Sequence, residues 1–161
     1  METASDYIRR YEDARKPYDI LGRSFGTYVA LKITETLQPK FLGRLILWGV
    51  PPFWHMWELY VRDFSETFEV AKTKGVLISR DSFSSLEPVE PIMKKITCPV
   101  IIASGTEDSH STPNDINSFK ALIKNKHIHF KDPVEGAPHE VSEDLSKSLI
   151  TEYHKALFGA I

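Results

Sequence analysis

Gly22-Arg23-Ser24-Phe25-Gly26 sets a serine between two glycines at the spacing G-x-S-x-G. A serine hydroxyl is a weak nucleophile and must stand exposed to both a base and a substrate. A sharp turn from strand to helix lifts it above a sheet. Such a turn strains the serine backbone and crowds it against neighbouring chain. The spacing therefore predicts that side chains are excluded two residues to either side. The serine would also open a helix, whose N–H groups favour developing negative charge. The Phe25 N–H is the natural first donor to an oxyanion there. The plainer alternative is a tight turn with no chemistry. Arg23 reads as a solvated or ion-paired side chain rather than a substrate contact.

A serine needs a base, and the base needs a carboxylate that fixes its tautomer and stabilises its charged form. Gly105-Thr106-Glu107-Asp108 lies in a turn rich in Gly, Ser and Pro, from which a short acid can reach across. Asp108 is the preferred acid and Glu107 its competitor. Of the six histidines, His139, in Gly136-Ala137-Pro138-His139-Glu140, occupies a loop after a strand and before a closing helix. His110 is too near Asp108 in the chain. His127 and His129 share one strand face, and His55 and His154 fall on predicted helices. No tight His/Cys/Asp spacing supports a metal, and no cofactor is expected.

The elements that would position these residues follow from the apolar pattern. A polar helix is predicted over Ala4 to Lys16, stopped by Pro17, then a short strand over Tyr18 to Leu21 closed by Gly22. A helix follows over Phe25 to Leu37. Leu45-Ile46-Leu47-Trp48 and Pro99-Val100-Ile101-Ile102-Ala103 are continuous apolar runs, as in strands buried on both faces of a parallel sheet. Phe53 to Lys72 reads as one or two helices, and Gly75 to Glu90 as irregular. Asn114 to Lys124 reads as a helix, His127 to Lys131 as a fourth strand, and Val141 to Phe158 as a closing amphipathic helix. Strands alternating with helices imply an α/β domain with a parallel sheet of about four strands flanked by helices. Sites in such sheets lie beyond the carboxyl ends of the strands. Ser24, Asp108 and His139 each fall just past a predicted strand end.

Composition narrows the classes. The chain of 161 residues is 42% hydrophobic and 26% charged, with a formal net charge of -2, which suits one soluble domain spanning 1–161. No basic block points to nucleic acid, and no apolar run suits a membrane span. The first residues lack the pattern of a secretory signal. With Cys98 as the one cysteine, the expected compartment is the cytoplasm.

The stretches YDILGRSFGTYVAL, RLILWGVPP, CPVIIASGTEDSHSTP and GAPHEV, taken in this order, resemble the α/β-hydrolase superfamily. The resemblance implies Ser24 as nucleophile, Asp108 as acid and His139 as base, and acyl-ester or related hydrolysis through an acyl-enzyme without a cofactor. It also implies that the chain corresponds to the C-terminal portion of that fold. Family members carry further strands before the helix that precedes the nucleophile turn, and a loop there supplies a second oxyanion N–H. Without those strands, Tyr18-Leu21 is predicted to be an open sheet edge, available to a second copy or a partner chain.

Residues 53–90 correspond to a cap-like insertion. Phe53, Trp57, Tyr60, Phe64 and Phe68 fall at helical spacing there, which suits either a cap underside or packing on the sheet. Trp54 and Trp57 are the candidate substrate-binding residues, and a pocket walled by them favours a small apolar acyl or ester substrate. Two other readings stay open. One is a weak or silent remnant that binds a partner. The other is the same triad with different chemistry, such as C–C bond hydrolysis or perhydrolysis.

Overall fold

The computed structural model describes residues 3–50 and 87–140. The predicted cap helices, with Trp54 and Trp57, and the predicted closing helix from Val141 lie outside the described residues.

Helix α1 spans Ala4–Asp13. Thr3 caps it, accepting from the Asp6 N–H while Asp6 accepts the Thr3 N–H at 3.0 Å. It ends before the predicted Lys16 because Arg15 turns to positive φ (52°), two residues ahead of Pro17. Glu12, near its end, accepts from the Lys40 and Phe41 N–H groups and the Tyr18 hydroxyl, each at 2.9 Å. Burial works to raise the Glu12 carboxyl, but these three donors hold it below its usual range.

Strand β1, Tyr18–Arg23, runs two residues further than predicted, so it delivers Ser24 directly at its end. Helix α2 is Phe25–Leu37 and strand β2 is Leu42–Trp48. Helix α3, Val89–Lys95, was not predicted, and its first two residues belong to the stretch read as irregular. Pro88 and Pro91 disguise it, yet Val89, Ile92, Met93 and Ile96 recur at helical spacing and all are buried. Pro91 is tolerated because it sits in the first turn, where N–H groups have no intrahelical partner. Strand β3 is Val100–Ala103, β4 is Gly105–Glu107, helix α4 is Pro113–Leu122, β5 is Ile128–Phe130 and β6 is Val134–Pro138.

β1, β2, β3 and β5 form a parallel sheet in that order. Leu45 and Leu47 of β2 and Val100 and Ile102 of β3 point into a core shared with Leu31 of α2, Ile92 and Met93 of α3, and Phe119 of α4. Their neighbours Ile46, Trp48, Ile101 and Ala103 are buried as well, so both central strands are covered on both faces. β1 ends the sheet among the described residues, and Leu21 on it is 65% exposed.

β4 and β6 form a separate two-stranded parallel sheet, which the sequence pattern read as turns. Both strands are short and largely polar or glycine-containing, so no apolar alternation marks them. They are joined by the Gly136 N–H donating to Thr106 Oγ1 at 2.8 Å and the Val134 N–H donating to the Ser104 carbonyl at 2.9 Å. Gly105 is obligatory, since a Cβ there would collide with the Ala137 backbone.

Candidate active site

Ser24 follows β1 and sits at the N-terminal boundary of α2 with φ 50° and ψ -127°. Among the described residues two other non-glycine residues have positive φ, Arg15 and Gln38, and both close helices, where left-handed residues are common. Ser24 lies at the opposite end of a helix, and its ψ is far from the left-handed value near +47°. Strain of this kind costs about 1–3 kcal/mol and persists where the surroundings over-determine it. Here the Ser24 N–H donates to the Trp48 carbonyl at 3.0 Å, while the Ser24 carbonyl accepts from both the N–H and the hydroxyl of Thr27. Serine at a helix start commonly caps with its side chain; the Ser24 hydroxyl makes no such cap.

The two glycines of G-x-S-x-G are not equivalent. A Cβ on Gly22 would lie 2.6 Å from the Gly26 carbonyl oxygen and 2.8 Å from the Thr27 Cα. A Cβ on Gly26 meets nothing within 4 Å among the described residues. The exclusion expected on both sides is met at Gly22, which α2 crowds as it folds back over β1, while at Gly26 no neighbour is found among the described residues. Phe25 is the first residue of α2, its ring half exposed and stacked on Tyr28 at 6.0 Å.

The candidate acid and base, Asp108 and His139, are positioned by register. Glu107 on β4 pairs with Pro138 on β6, so the next residues, Asp108 and His139, emerge side by side. His139 follows β6 rather than the fourth strand of the main sheet, as the sequence pattern had it. Asp108 Oδ2 lies 2.9 Å from His139 Nδ1, with the aspartate side chain fully buried and the histidine side chain 11% exposed. Asp108 Oδ1 accepts the N–H groups of His110 and Ser111 at 2.9 and 2.8 Å. These bonds satisfy the buried carboxylate and aim its other oxygen at the imidazole. Glu107, the competing acid, is exposed.

Gly49 links this pair to the serine. It follows Trp48, whose carbonyl holds the Ser24 N–H, and its φ is +60°. A Cβ on it would lie 2.9 Å from His139 Nδ1 and 3.1 Å from Asp108 Oδ2. Ser24 and the Asp108–His139 pair thus gather at the carboxyl end of β2. His110, set aside on sequence, packs its ring 4.8 Å from that of His139. Chain proximity to Asp108 is what brings it there, and strand pairing across 31 residues is what sequence spacing could not supply.

Solved structures share this arrangement of elements. An α/β-hydrolase from the metagenome of sediments of the Mar Chica lagoon, Morocco, matches over 95% of this chain and 68% of its own, at 18% identity and TM-score 0.54. A monoacylglycerol lipase of Paleococcus ferrophilus matches over 96% and 72%, at 16% and 0.56. The chain has the α/β-hydrolase fold. An esterase of Pyrococcus furiosus matches over 96% and 57%, at 17% and 0.58. This α/β-hydrolase-like chain therefore spans 57% to 72% of the lengths of these three. Identities this low speak to fold alone. No protein-family model matches the sequence, and a search of curated proteins finds no match. No helix among the described residues is long and apolar enough to cross a membrane.

Proposed function

We propose that the chain is a serine hydrolase that cleaves a carboxylic ester or similar acyl bond through Ser24, His139 and Asp108. One observation carries this reading: a fully buried aspartate bonded at 2.9 Å to His139 Nδ1, beside the turn that holds a strained serine. Asp108 keeps the His139 proton on Nδ1, so Nε2 takes the Ser24 proton as the hydroxyl adds to the acyl carbonyl. The resulting imidazolium is stabilised by the carboxylate and returns its proton to the leaving alkoxide. Water then repeats the sequence on the acyl-enzyme. The Phe25 N–H, at the positive end of α2, serves as one oxyanion donor. Trp54 and Trp57 are assigned to the pocket wall on sequence pattern, which favours a small apolar substrate. The lone Cys98 suits a cytoplasmic setting.

The test is fluorophosphonate labelling, which reports an activated serine without knowledge of the substrate. Peptide mapping should place the adduct on Ser24, and Ser24→Ala should abolish labelling. Turnover of p-nitrophenyl esters of graded acyl length then tests the substrate class. Labelling of a different serine, or none, refutes the assignment.

A second reading, association through the β1 edge, is favoured by a separate observation. Leu21, Phe25 and Val29 are exposed on β1, the edge strand of the sheet among the described residues, and on the helix beside it. Such an edge offers backbone groups to another strand, from a second copy or a partner chain.

A further inference from the structure

We propose that Asp108, His110 and His139 form a three-ligand site for a borderline-soft divalent cation such as Zn2+, and that the ion, when bound, switches the hydrolase off. One ligand atom from each residue lies within 4.8 Å of the others. Two imidazoles and one carboxylate are a common zinc donor set that leaves a fourth position for water. With metal–ligand bonds near 2.1 Å, tetrahedral ligand atoms sit about 3.4 Å apart. Asp108 Oδ2 and His139 Nδ1, now hydrogen-bonded at 2.9 Å, must part by about 0.5 Å to admit the ion, with the imidazole moving because Asp108 is held by two backbone N–H groups. The remaining adjustment falls on His110, whose side chain is exposed and is held by a 3.3 Å contact between its Nδ1 and Ser109 Oγ. Its ring already packs at 4.8 Å and 34° to that of His139. The backbone of His110 is fixed independently, because its N–H donates to Asp108 Oδ1.

The consequence for the reaction is a change of tautomer. A neutral imidazole carries one ring proton. A metal entering between Asp108 Oδ2 and His139 Nδ1 takes the Nδ1 lone pair and leaves that proton on Nε2. The charge of the ring is unchanged, but Nε2 then has no lone pair for the Ser24 proton. The metal also removes Asp108 from its role as orienting acid. The inhibitory half of this proposal rests on the hydrolase reading above, whereas the binding half does not.

Full-length Ser24→Ala protein should be titrated with ZnCl2 by calorimetry, and with Co2+ by visible absorption. One equivalent should bind, with the strong visible bands of a tetrahedral nitrogen–oxygen site. His110→Gln in the same background should weaken binding by about tenfold or more, and His129→Gln, on the exposed face of β5, should leave it unchanged. In protein with an intact serine, Zn2+ should suppress fluorophosphonate labelling over the same concentration range, and chelator should restore it. In His110→Gln, the Zn2+ concentration that halves labelling, measured against that variant's own metal-free rate, should rise by the same factor as its binding constant. Absence of saturable binding, or equal binding by His110→Gln, overturns the site. Saturable binding that His110→Gln weakens, in a protein that never labels, leaves the metal site standing and removes the hydrolase reading. Normal labelling unaffected by saturating Zn2+ overturns the switch.

Discussion

Replacing Gly49 by alanine adds one methyl group beneath the proposed acid–base pair. The added Cβ would stand 2.9 Å from His139 Nδ1, 3.0 Å from Cε1 and 3.1 Å from Asp108 Oδ2, against 3.4 Å for ordinary contact. The nearest approach is short by 3.4 − 2.9, about 0.5 Å. The imidazole is the part able to yield, because Asp108 is clamped by two backbone N–H groups and its side chain is fully buried. Gly49 also has φ +60°, where a non-glycine residue costs about 1–2 kcal/mol. The ring should therefore swing away, stretching its bond to Asp108 and moving Nε2 from the serine. Misplacement approaching 1 Å costs up to about 10²-fold in rate, so Gly49→Ala should lose about 10- to 10²-fold in kcat/KM and in fluorophosphonate labelling. The urea midpoint should fall by the equivalent of about 1–2 kcal/mol. Rates on p-nitrophenyl acetate, measured beside urea denaturation of the same samples, separate the two effects. A folded Gly49→Ala protein that labels at the parent rate would refute the placement of His139 as base.

Gly22→Ala and Gly26→Ala should differ sharply in thermal denaturation. The first forces α2 off β1, while the second, on a helix with no neighbour within 4 Å among the described residues, should be neutral or stabilising by up to about 1 kcal/mol. Ser24→Ala should abolish ester hydrolysis and retain the parent's far-UV circular dichroism, and residual turnover at the parent rate would assign the activity elsewhere. Glu12→Gln should cost about 1 kcal/mol near neutral pH, where three donors meet a carboxylate. Because the folded carboxyl is held below its ordinary value of 4.5, its contribution is complete above that pH and fades as pH falls through the folded value. The gap in urea midpoint between parent and variant should close on acidification, and a constant gap would count against the ion. Leu21→Lys should reduce any concentration-dependent light scattering, since Leu21 is 65% exposed on the edge strand of the sheet among the described residues; unchanged association would place the contact elsewhere.

The main sheet was legible because β2 and β3 are continuous apolar runs, a pattern that burial on both faces demands. Strand ends were less so. β1 continues through Gly22 and Arg23, two residues that look like a turn, because pairing with Leu47 and Trp48 overrides local preference. α3 was hidden by its prolines. β4 and β6 were invisible because their stability comes from backbone pairing with each other and from the closeness of Gly105 to Ala137, with almost no apolar pattern to betray them. Ser24 could be read from its local motif, which encodes a backbone turn. Asp108 and His139 could be read from residue type and place in the chain. The role of Gly49 and the nearness of His110 to His139 needed three-dimensional pairing, since neither belongs to a local pattern.

The β4–β6 register also sets which parts of this chain are free to change in length. Asp108 and His139 leave adjacent strand ends, so their separation is decided by the pairing of Glu107 with Pro138 and not by the path between them. Everything from Ser109 to Pro133, including α4 and β5, is a detour that departs from one strand and returns to the other. Insertions at its outer turns would leave the distance between carboxylate and imidazole untouched. The same pair has no such latitude sideways, where a single methyl group on Gly105 would prise the two strands, and the two side chains, apart.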